Sequence, residues 1–209
     1  MYLSRIKLSP TKRATMKALT NLKIFHEYLE GCFPGDRPRN IWRIDRLKDN
    51  LYILVLSKEK TDFSPFCKQF SLSEDSWETK DYDPLLSRLK NGNIWRFRLL
   101  ANPTYQVKAK SPITLRGKVR AHITPERQKE WLVKQSKKNG FQLATDGFDV
   151  KENKWFRFRK NSGDIVTILS VAYEGLLMIT DVDLFRKVLV NGIGRGKAYG
   201  MGLLTVVSV

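Results

Sequence analysis

The stretch Ile94-Trp95-Arg96-Phe97-Arg98-Leu99-Leu100-Ala101 decides the fold, because it begins a second round of the same element order. Its composition predicts a strand, which Asn102-Pro103 ends. A helix is predicted next, from Thr124 as N-cap to Lys138. Strand-rich segments over 141–150, 155–160 and 165–179, a helix over 181–191 and a last strand over 202–207 complete the order β-α-β-β-α-β.

The first half of the chain shows the same order. Tyr2–Leu8 alternates with a period of two, as a strand with one buried face does. The rest follows as a helix over 13–32, strands over 41–45 and 51–56, a short helix near 63–70 and a strand near 76–82. Two such units predict an α+β fold of two tandem ferredoxin-like domains, over residues 1–90 and 94–209, with 84–93 as the connection.

Charge points to the partner. The 209 residues carry 38 Lys and Arg against 21 Asp and Glu, a net charge of +17, while 42% of them are hydrophobic, too many for a disordered basic tail. Residues 94–209 hold 21 basic and 9 acidic side chains, against 17 and 12 before them. Such an excess attracts polyanions, and we expect nucleic acid. An anionic membrane is the alternative, but no basic amphipathic tail stands apart from the fold.

Several classes of protein are excluded by what the sequence lacks. Cys32 and Cys67 cannot build a disulfide framework, and they predict buried thiols in a reducing compartment or at most one incidental bridge. No apolar run reaches the length of a membrane span, and the first residues alternate like a strand rather than a signal peptide. No metal-ligand cluster, nucleophile elbow or P-loop is present. We expect a cytoplasmic protein with no metal, no cofactor and no membrane partner.

A glycine segment over 192–202 contains five glycines in eleven residues, and basic side chains lie between them. Glycine lets backbone amides approach a ligand closely, which suits the phosphates of a nucleic acid. The alternative is a flexible loop between helix and strand with incidental charge. The candidate phosphate-binding residues are Gly192, Gly194, Arg195, Gly196, Lys197, Gly200 and Gly202.

A basic hairpin is predicted at Trp155–Gly163, where aromatic and basic residues alternate into the turn Asn161-Ser162-Gly163-Asp164. One strand face would carry Trp155, Arg157 and Arg159, and the other Phe156, Phe158 and Lys160. Arg157, Arg159 and Lys160 are candidate nucleic-acid contacts. An ordinary strand with a solvated basic face is the alternative.

The two histidines differ in context. His26 falls on the border of the apolar stripe of the first helix, between Leu22 and Leu29, with Lys23 one turn earlier. It is either a border residue packed against the core or a half-exposed acid-base group that titrates near neutrality with a cation beside it. His122 lies among basic loop residues, and we expect a surface position.

Taken together, these residues resemble the CRISPR-associated repeat-processing endoribonucleases of the type I-E system, the CasE subunits of the Cascade complex. The similarity covers nearly the whole chain. It includes Phe25-His26-Glu27-Tyr28-Leu29, Phe97–Pro103, Glu174–Leu177 and Gly200-Met201-Gly202-Leu203-Leu204. The Asn-Pro strand end together with the glycine segment is the specific pair.

The resemblance implies a tandem ferredoxin-like protein that binds the hairpin of a CRISPR repeat transcript and cuts once at its 3′ base, without metal. It implies that the protein stays bound as a Cascade subunit. His26 would be the catalytic histidine, and many members have a tyrosine where this chain has Lys23. Lysine could stabilise developing phosphorane charge instead. The products would carry a 5′-hydroxyl and a 2′,3′-cyclic phosphate.

Two other functions remain open at this point. A non-catalytic scaffold of the same fold would bind and protect structured RNA. Lys23, which stands where many family members have a tyrosine, favours this alternative. A general RNA-binding domain would follow from charge alone, with weak preference for a hairpin and a steep dependence on salt.

Overall fold

The computed structural model describes residues 1–33, 40–107, 117–144, 146–159 and 163–209. Six helices, eleven strands and one 3-10 turn lie in these ranges. In chain order they are β1 (Tyr2–Leu8), α1 (Arg13–Thr20), α2 (Leu22–Glu30), β2 (Ile41–Leu47), β3 (Asn50–Ser57), α3 (Ser64–Phe70), β4 (Trp77–Asp81), α4 (Asp83–Arg88), β5 (Ile94–Ala101), β6 (Thr104–Gln106), β7 (Val119–Ala121), α5 (Pro125–Lys138), β8 (Phe141–Gln142), β9 (Phe148–Arg159), β10 (Ile165–Ile179), α6 (Val182–Asn191), the 3-10 turn (Lys197–Tyr199) and β11 (Leu204–Ser208).

The first sheet is antiparallel, with the strand order β2-β3-β1-β4. Alternate residues of its central strands, such as Ile6 on β1 and Ile53 on β3, are buried against the helices. Phe25 of α2 and Phe66 of α3 cover the same face of the sheet. This order of strands and helices is that of a ferredoxin-like unit.

The second sheet repeats the arrangement. Its order is β11-β5-β10-β8, and β9 also pairs with β10. Trp95, Phe97 and Leu99 of β5 point into a core that Trp131 of α5 and Phe185 of α6 complete. The prediction of two tandem ferredoxin-like units is therefore confirmed, and the alternation along β5 has its cause in this one-sided burial.

The long first helix was a wrong prediction, because the chain forms two helices that meet at Asn21. The Asn21 backbone is non-helical, and its side-chain oxygen accepts a hydrogen bond from the Lys23 amide at 3.3 Å. Asparagine is a favoured N-cap for this reason, so it can begin a new helix inside an apolar periodicity that looks continuous.

Four further segments differ from the prediction. The connection after β4 contains the short helix α4, which begins at Asp83 and has Pro84 in its first turn. The predicted strands over 141–150 and 155–160 are instead the two-residue β8 and one long strand, β9. Strands β6 and β7 form an additional hairpin, and the last strand begins at Leu204. The domain limits stay a prediction, since Phe158 and Met201 pack into the core of the first unit.

No helix in the part of the chain that the structure describes combines the length and apolar character that a membrane crossing requires. Cys32 and Cys67 are both free thiols, as expected from the sequence. Burial raises the pKa of the Cys32 thiol to about 11, and it also raises the pKa of Cys67. Both shifts disfavour the thiolate, which is the form in which cysteine acts as a nucleophile.

A buried arginine of edge strand β2 joins the two sheets. Arg43 is 1% exposed, and all five of its N–H donors have acceptors. Nε and Nη2 bind the two oxygens of Asp45 at 2.9 and 2.7 Å. Nη1 donates to the carbonyls of Arg98 and Leu203, and Nη2 donates to the Thr205 hydroxyl, each at 2.9 Å. The last three acceptors belong to the second half of the chain.

The charges around Arg43 form a network across the interface. Arg98 Nε lies 3.0 Å from Asp45 Oδ1, and Arg98 also pairs with Glu174 on β10. Burial lowers the pKa of Arg43 from its usual value, but guanidinium remains charged under all ordinary conditions. The cation and the carboxylate are thus buried together, and each compensates the desolvation of the other.

We expect Arg43→Ala to lower the free energy of unfolding by about 3 kcal/mol or more. The substitution removes the hydrogen-bond donors that Arg43 supplies to the buried Asp45 carboxylate and to two backbone carbonyls. Urea-induced unfolding measures this. Arg5→Ala is the matched control, since Arg5 pairs with Glu78 on the surface at 2.6 Å. That variant should lose less than about 1 kcal/mol. Equal losses in the two variants would contradict a special role for Arg43.

Candidate functional site

The predicted acid-base residue lies on α2. Leu22, Phe25 and Leu29 form the buried face of this helix, and His26 lies at its border with a side chain that is 31% exposed. Its Nδ1 atom is 3.9 Å from a carboxylate oxygen of Glu30, one turn later. The imidazole is therefore accessible to a ligand while its helix is anchored in the core.

Lys23 lies one turn before His26 on the same helix. Its ammonium is 2.7 Å from the Glu27 carboxylate, and its side chain is only 18% exposed. Residues three apart on a helix share a face, so α2 presents a cation and an imidazole side by side. Glu27 neutralises the lysine in the absence of a ligand, and an incoming phosphate would compete for the ammonium.

The glycine segment has a steric cause. All five glycines adopt positive φ, between 71° and 95°. A Cβ on Gly200 would lie 2.7 Å from the Trp42 ring, and one on Gly194 would lie 3.1 Å from the Trp131 ring. Glycine is needed where the backbone is left-handed and packs directly on an aromatic ring. Packing on aromatic rings thus explains Gly194 and Gly200, and phosphate contact at this segment stays a prediction.

The glycine segment also meets the helix of His26. The 3-10 turn Lys197–Tyr199 inside this segment lies against both α2 and β2. Arg195 is held by an isolated bridge to Asn102, at the end of β5. The two candidate regions, which lie near opposite ends of the sequence, come together in the fold.

The basic hairpin alternates as predicted over its described residues. Trp155, Arg157 and Arg159 are exposed on one face of β9, whereas Phe158 is buried on the other. The Phe158 ring packs edge-on against Tyr199 at a centroid distance of 5.1 Å, so the hairpin rests on the 3-10 turn. Lys160 lies outside the described residues.

Sequence reasoning missed a groove between this hairpin and the β6–β7 hairpin. Its volume is about 590 Å³. Tyr105, Arg120, Trp155, Arg195 and Tyr199 are among the residues that line it. Exposed aromatic rings interleaved with arginines are the surface on which unpaired bases stack. Strands β6 and β7 have three residues each, too few to show an alternating pattern in the sequence. The basic residues near Arg120 were therefore the only sequence feature that indicated this surface.

The second histidine has a different environment. The His122 ring packs against Tyr105 with centroids 4.8 Å apart and planes tilted by 39°, and the side chain is half-buried. Burial, and then the charges of Lys134 and Arg127, lower the pKa of His122, which favours the neutral form of its ring. Within the described ranges, no three His, Cys, Asp or Glu side chains converge to hold a metal ion.

Comparison with known proteins gives one consistent family. A family described as CRISPR associated protein matches residues 1–207. The CRISPR-associated endoribonuclease Cse3 of Thermus thermophilus is 27% identical and covers 99% of each chain. A structure of the CRISPR endoribonuclease Cse3 bound to a 19-nucleotide RNA is 27% identical, with a TM-score of 0.81 over 99% of this chain and 100% of that one.

A further structure, of Thermus thermophilus Cse3 bound to an RNA that represents a pre-cleavage complex, is also 27% identical. It has a TM-score of 0.80 and covers 99% of this chain and 98% of that one. The matches extend over both ferredoxin-like units, so they include α2, the glycine segment and the basic hairpin. The chain therefore belongs to the family of CRISPR-associated proteins.

Proposed function

We propose that this protein is an endoribonuclease that binds the hairpin of CRISPR repeat RNA and cuts at the 3′ base of that hairpin. One observation carries the proposal: the 3-10 turn of the glycine segment, which includes Lys197, lies against α2, the helix that carries His26. An acid-base group beside a phosphate-binding loop is the arrangement that strand scission requires. The endoribonuclease activity of the Thermus relative supports the same reading.

The reaction needs no nucleophile from the protein. The 2′-hydroxyl of the ribose attacks the adjacent phosphorus in line, and the bond to the 5′-oxygen of the next nucleotide breaks. One proton leaves the 2′-oxygen and one joins the 5′-oxygen. His26 supplies one of these two transfers, as base or as acid. The products are a 2′,3′-cyclic phosphate and a 5′-hydroxyl, and no metal ion takes part.

Cationic groups on α2 stabilise the charge that develops on the phosphorane. Lys23 is the candidate, since its ammonium lies on the same helix face as His26. In the free protein Glu27 holds this ammonium, and binding of RNA exchanges the carboxylate for a phosphate oxygen. A preorganised cation in a partly desolvated site is most effective when negative charge increases in the transition state.

Binding and chemistry use different parts of the molecule. Arg157 and Arg159 are exposed on strand β9 of the hairpin, in the second half of the chain, whereas His26 belongs to α2 in the first half, and Arg195 lines the adjacent groove. The bases of A-form RNA are hidden in a deep major groove, so phosphate contacts and shape dominate recognition of its stem. The arginines therefore hold the hairpin, while α2 acts on one phosphate.

The family supports a place for this protein in a larger assembly. After cleavage the chain keeps the hairpin and remains as a subunit of the Cascade surveillance complex in the cytoplasm. A rival function is a scaffold of the same fold that binds the hairpin without cutting it. Lys23, at the position of the family's tyrosine, favours the rival, and a cleavage assay separates the two.

We expect His26→Ala to slow single-turnover cleavage of a repeat hairpin by about 10²- to 10⁴-fold, the contribution of a positioned acid-base group. Binding of RNA should change little, and excess EDTA should leave wild-type cleavage unaffected. His122→Ala is the matched control, since His122 is the other histidine of the sequence. Loss of cleavage in EDTA, or cleavage by His26→Ala at the wild-type rate, would contradict the mechanism.

Removing both hairpin arginines should weaken binding without altering chemistry. We expect Arg157→Ala with Arg159→Ala to raise Kd about 100-fold, since charge-assisted contacts contribute about 1.5 kcal/mol or more each. The slope of log Kd against log salt should fall by about 2. Lys58→Ala with Lys60→Ala removes the same charge from an exposed loop of the first half. An equal loss in that control would mean that net charge alone drives binding.

The role of Lys23 is tested by Lys23→Met, which keeps most of the side-chain volume and removes the charge. We expect cleavage at saturating RNA to slow about 10- to 100-fold, because one stabilising charge at the phosphorane is lost. Lys17→Met on α1 is the matched control. Wild-type rates for Lys23→Met would exclude Lys23 from the chemistry and leave His26 without a cationic partner on its helix.

A further inference from the structure

We propose that Trp42 is the positioning residue that sets the helix of His26 against the glycine segment. The inference rests on the proposed function. It identifies the contact through which the glycine segment, bound to RNA, would set the position of His26. Trp42 belongs to β2 and is 1% exposed. It touches the second half of the chain on one side and the core under α2 on the other.

The contact with the glycine segment is direct. Gly200 follows the 3-10 turn with φ +76°, and an ideal Cβ on it would lie 2.7, 3.0 and 3.1 Å from three atoms of the six-membered ring of Trp42. No side chain separates the backbone from the indole. The position of the ring therefore fixes how closely the segment with Lys197 approaches the first unit.

The contact with α2 is made through Phe25, the residue immediately before His26. The Phe25 and Trp42 rings meet edge to face, with centroids 6.3 Å apart and planes at 73°. Phe25 is fully buried and also packs against Phe66 and Phe70 of α3. A shift of the Trp42 ring is thus transmitted to the backbone that carries His26.

Two features concentrate the coupling at Trp42. A cavity of about 380 Å³ lies beside it, with Leu22, Ile44 and Tyr199 in its lining, so packing around the indole is incomplete on that side. The indole Nε1 is buried and has no hydrogen-bond acceptor among the described residues. Ring packing rather than a hydrogen bond holds the side chain in place, and a smaller ring would let the two surfaces move.

Trp131 supplies a matched control from the same protein. It is a buried tryptophan that also packs on a positive-φ glycine of the same segment, with Gly194 in the place of Gly200. It belongs to α5, and its core cluster contains no residue of α2. Trp42→Phe and Trp131→Phe therefore remove the same group from the same segment, but only the first lies on the route to His26.

The test compares single-turnover cleavage at saturating RNA with Kd for both variants. We expect Trp42→Phe to slow cleavage at least about tenfold while Kd stays within about threefold of wild type. The shape of its pH-rate profile should be unchanged, since the imidazole is misplaced rather than replaced. Trp131→Phe should stay within about threefold in both quantities.

Equal cleavage rates for the two tryptophan variants, or equal losses with parallel losses of thermal stability, would overturn the inference and reduce Trp42 to a core residue. Thermal unfolding of each variant shows that the comparison is made on folded protein. Failure of the proposed function looks different, because the wild-type protein would then bind the hairpin and leave it intact.

Discussion

The guanidinium of Arg43 is the constraint on which the arrangement of the two sheets depends. A buried cation must find acceptors for all its donors, and three of those of Arg43 lie in the second half of the chain. The two units can therefore adopt few relative positions without leaving a charge or a carbonyl unsatisfied. Asp45 completes the neutralisation and also draws in Arg98 of the second sheet.

A fixed interface is what lets the candidate site form between the units. The acid-base residue comes from a helix of the first unit, whereas the glycine segment and the basic hairpin come from the second. Phe158 packs on Tyr199, Gly200 packs on Trp42, and Trp42 meets Phe25, so aromatic contacts link the RNA-binding surface to α2. Rigid support of this kind is needed because acid-base catalysis depends strongly on distance.

Local sequence patterns predicted most of the fold but only part of the candidate site. Alternation along β5 and the border position of His26 follow from burial on one face, which a sequence records directly. The break at Asn21 was hidden, because its cap interrupts a periodicity that continues on both sides. The reason for the glycines was also hidden, since Trp42 lies about 150 residues earlier in the chain. Contacts between distant segments leave no mark on either segment alone.

The central claim is that one scissile phosphate lies between α2 and the glycine segment. It is tested most directly by a structure of the protein bound to a repeat hairpin with a 2′-deoxyribose at the cleavage position, which cannot be cut. We expect a His26 ring nitrogen within about 3.2 Å of the 5′-oxygen or of the place that the 2′-hydroxyl would occupy, and we expect Lys23 to be released from Glu27. A scissile phosphate bound away from α2, with the Lys23–Glu27 pair intact, would contradict it.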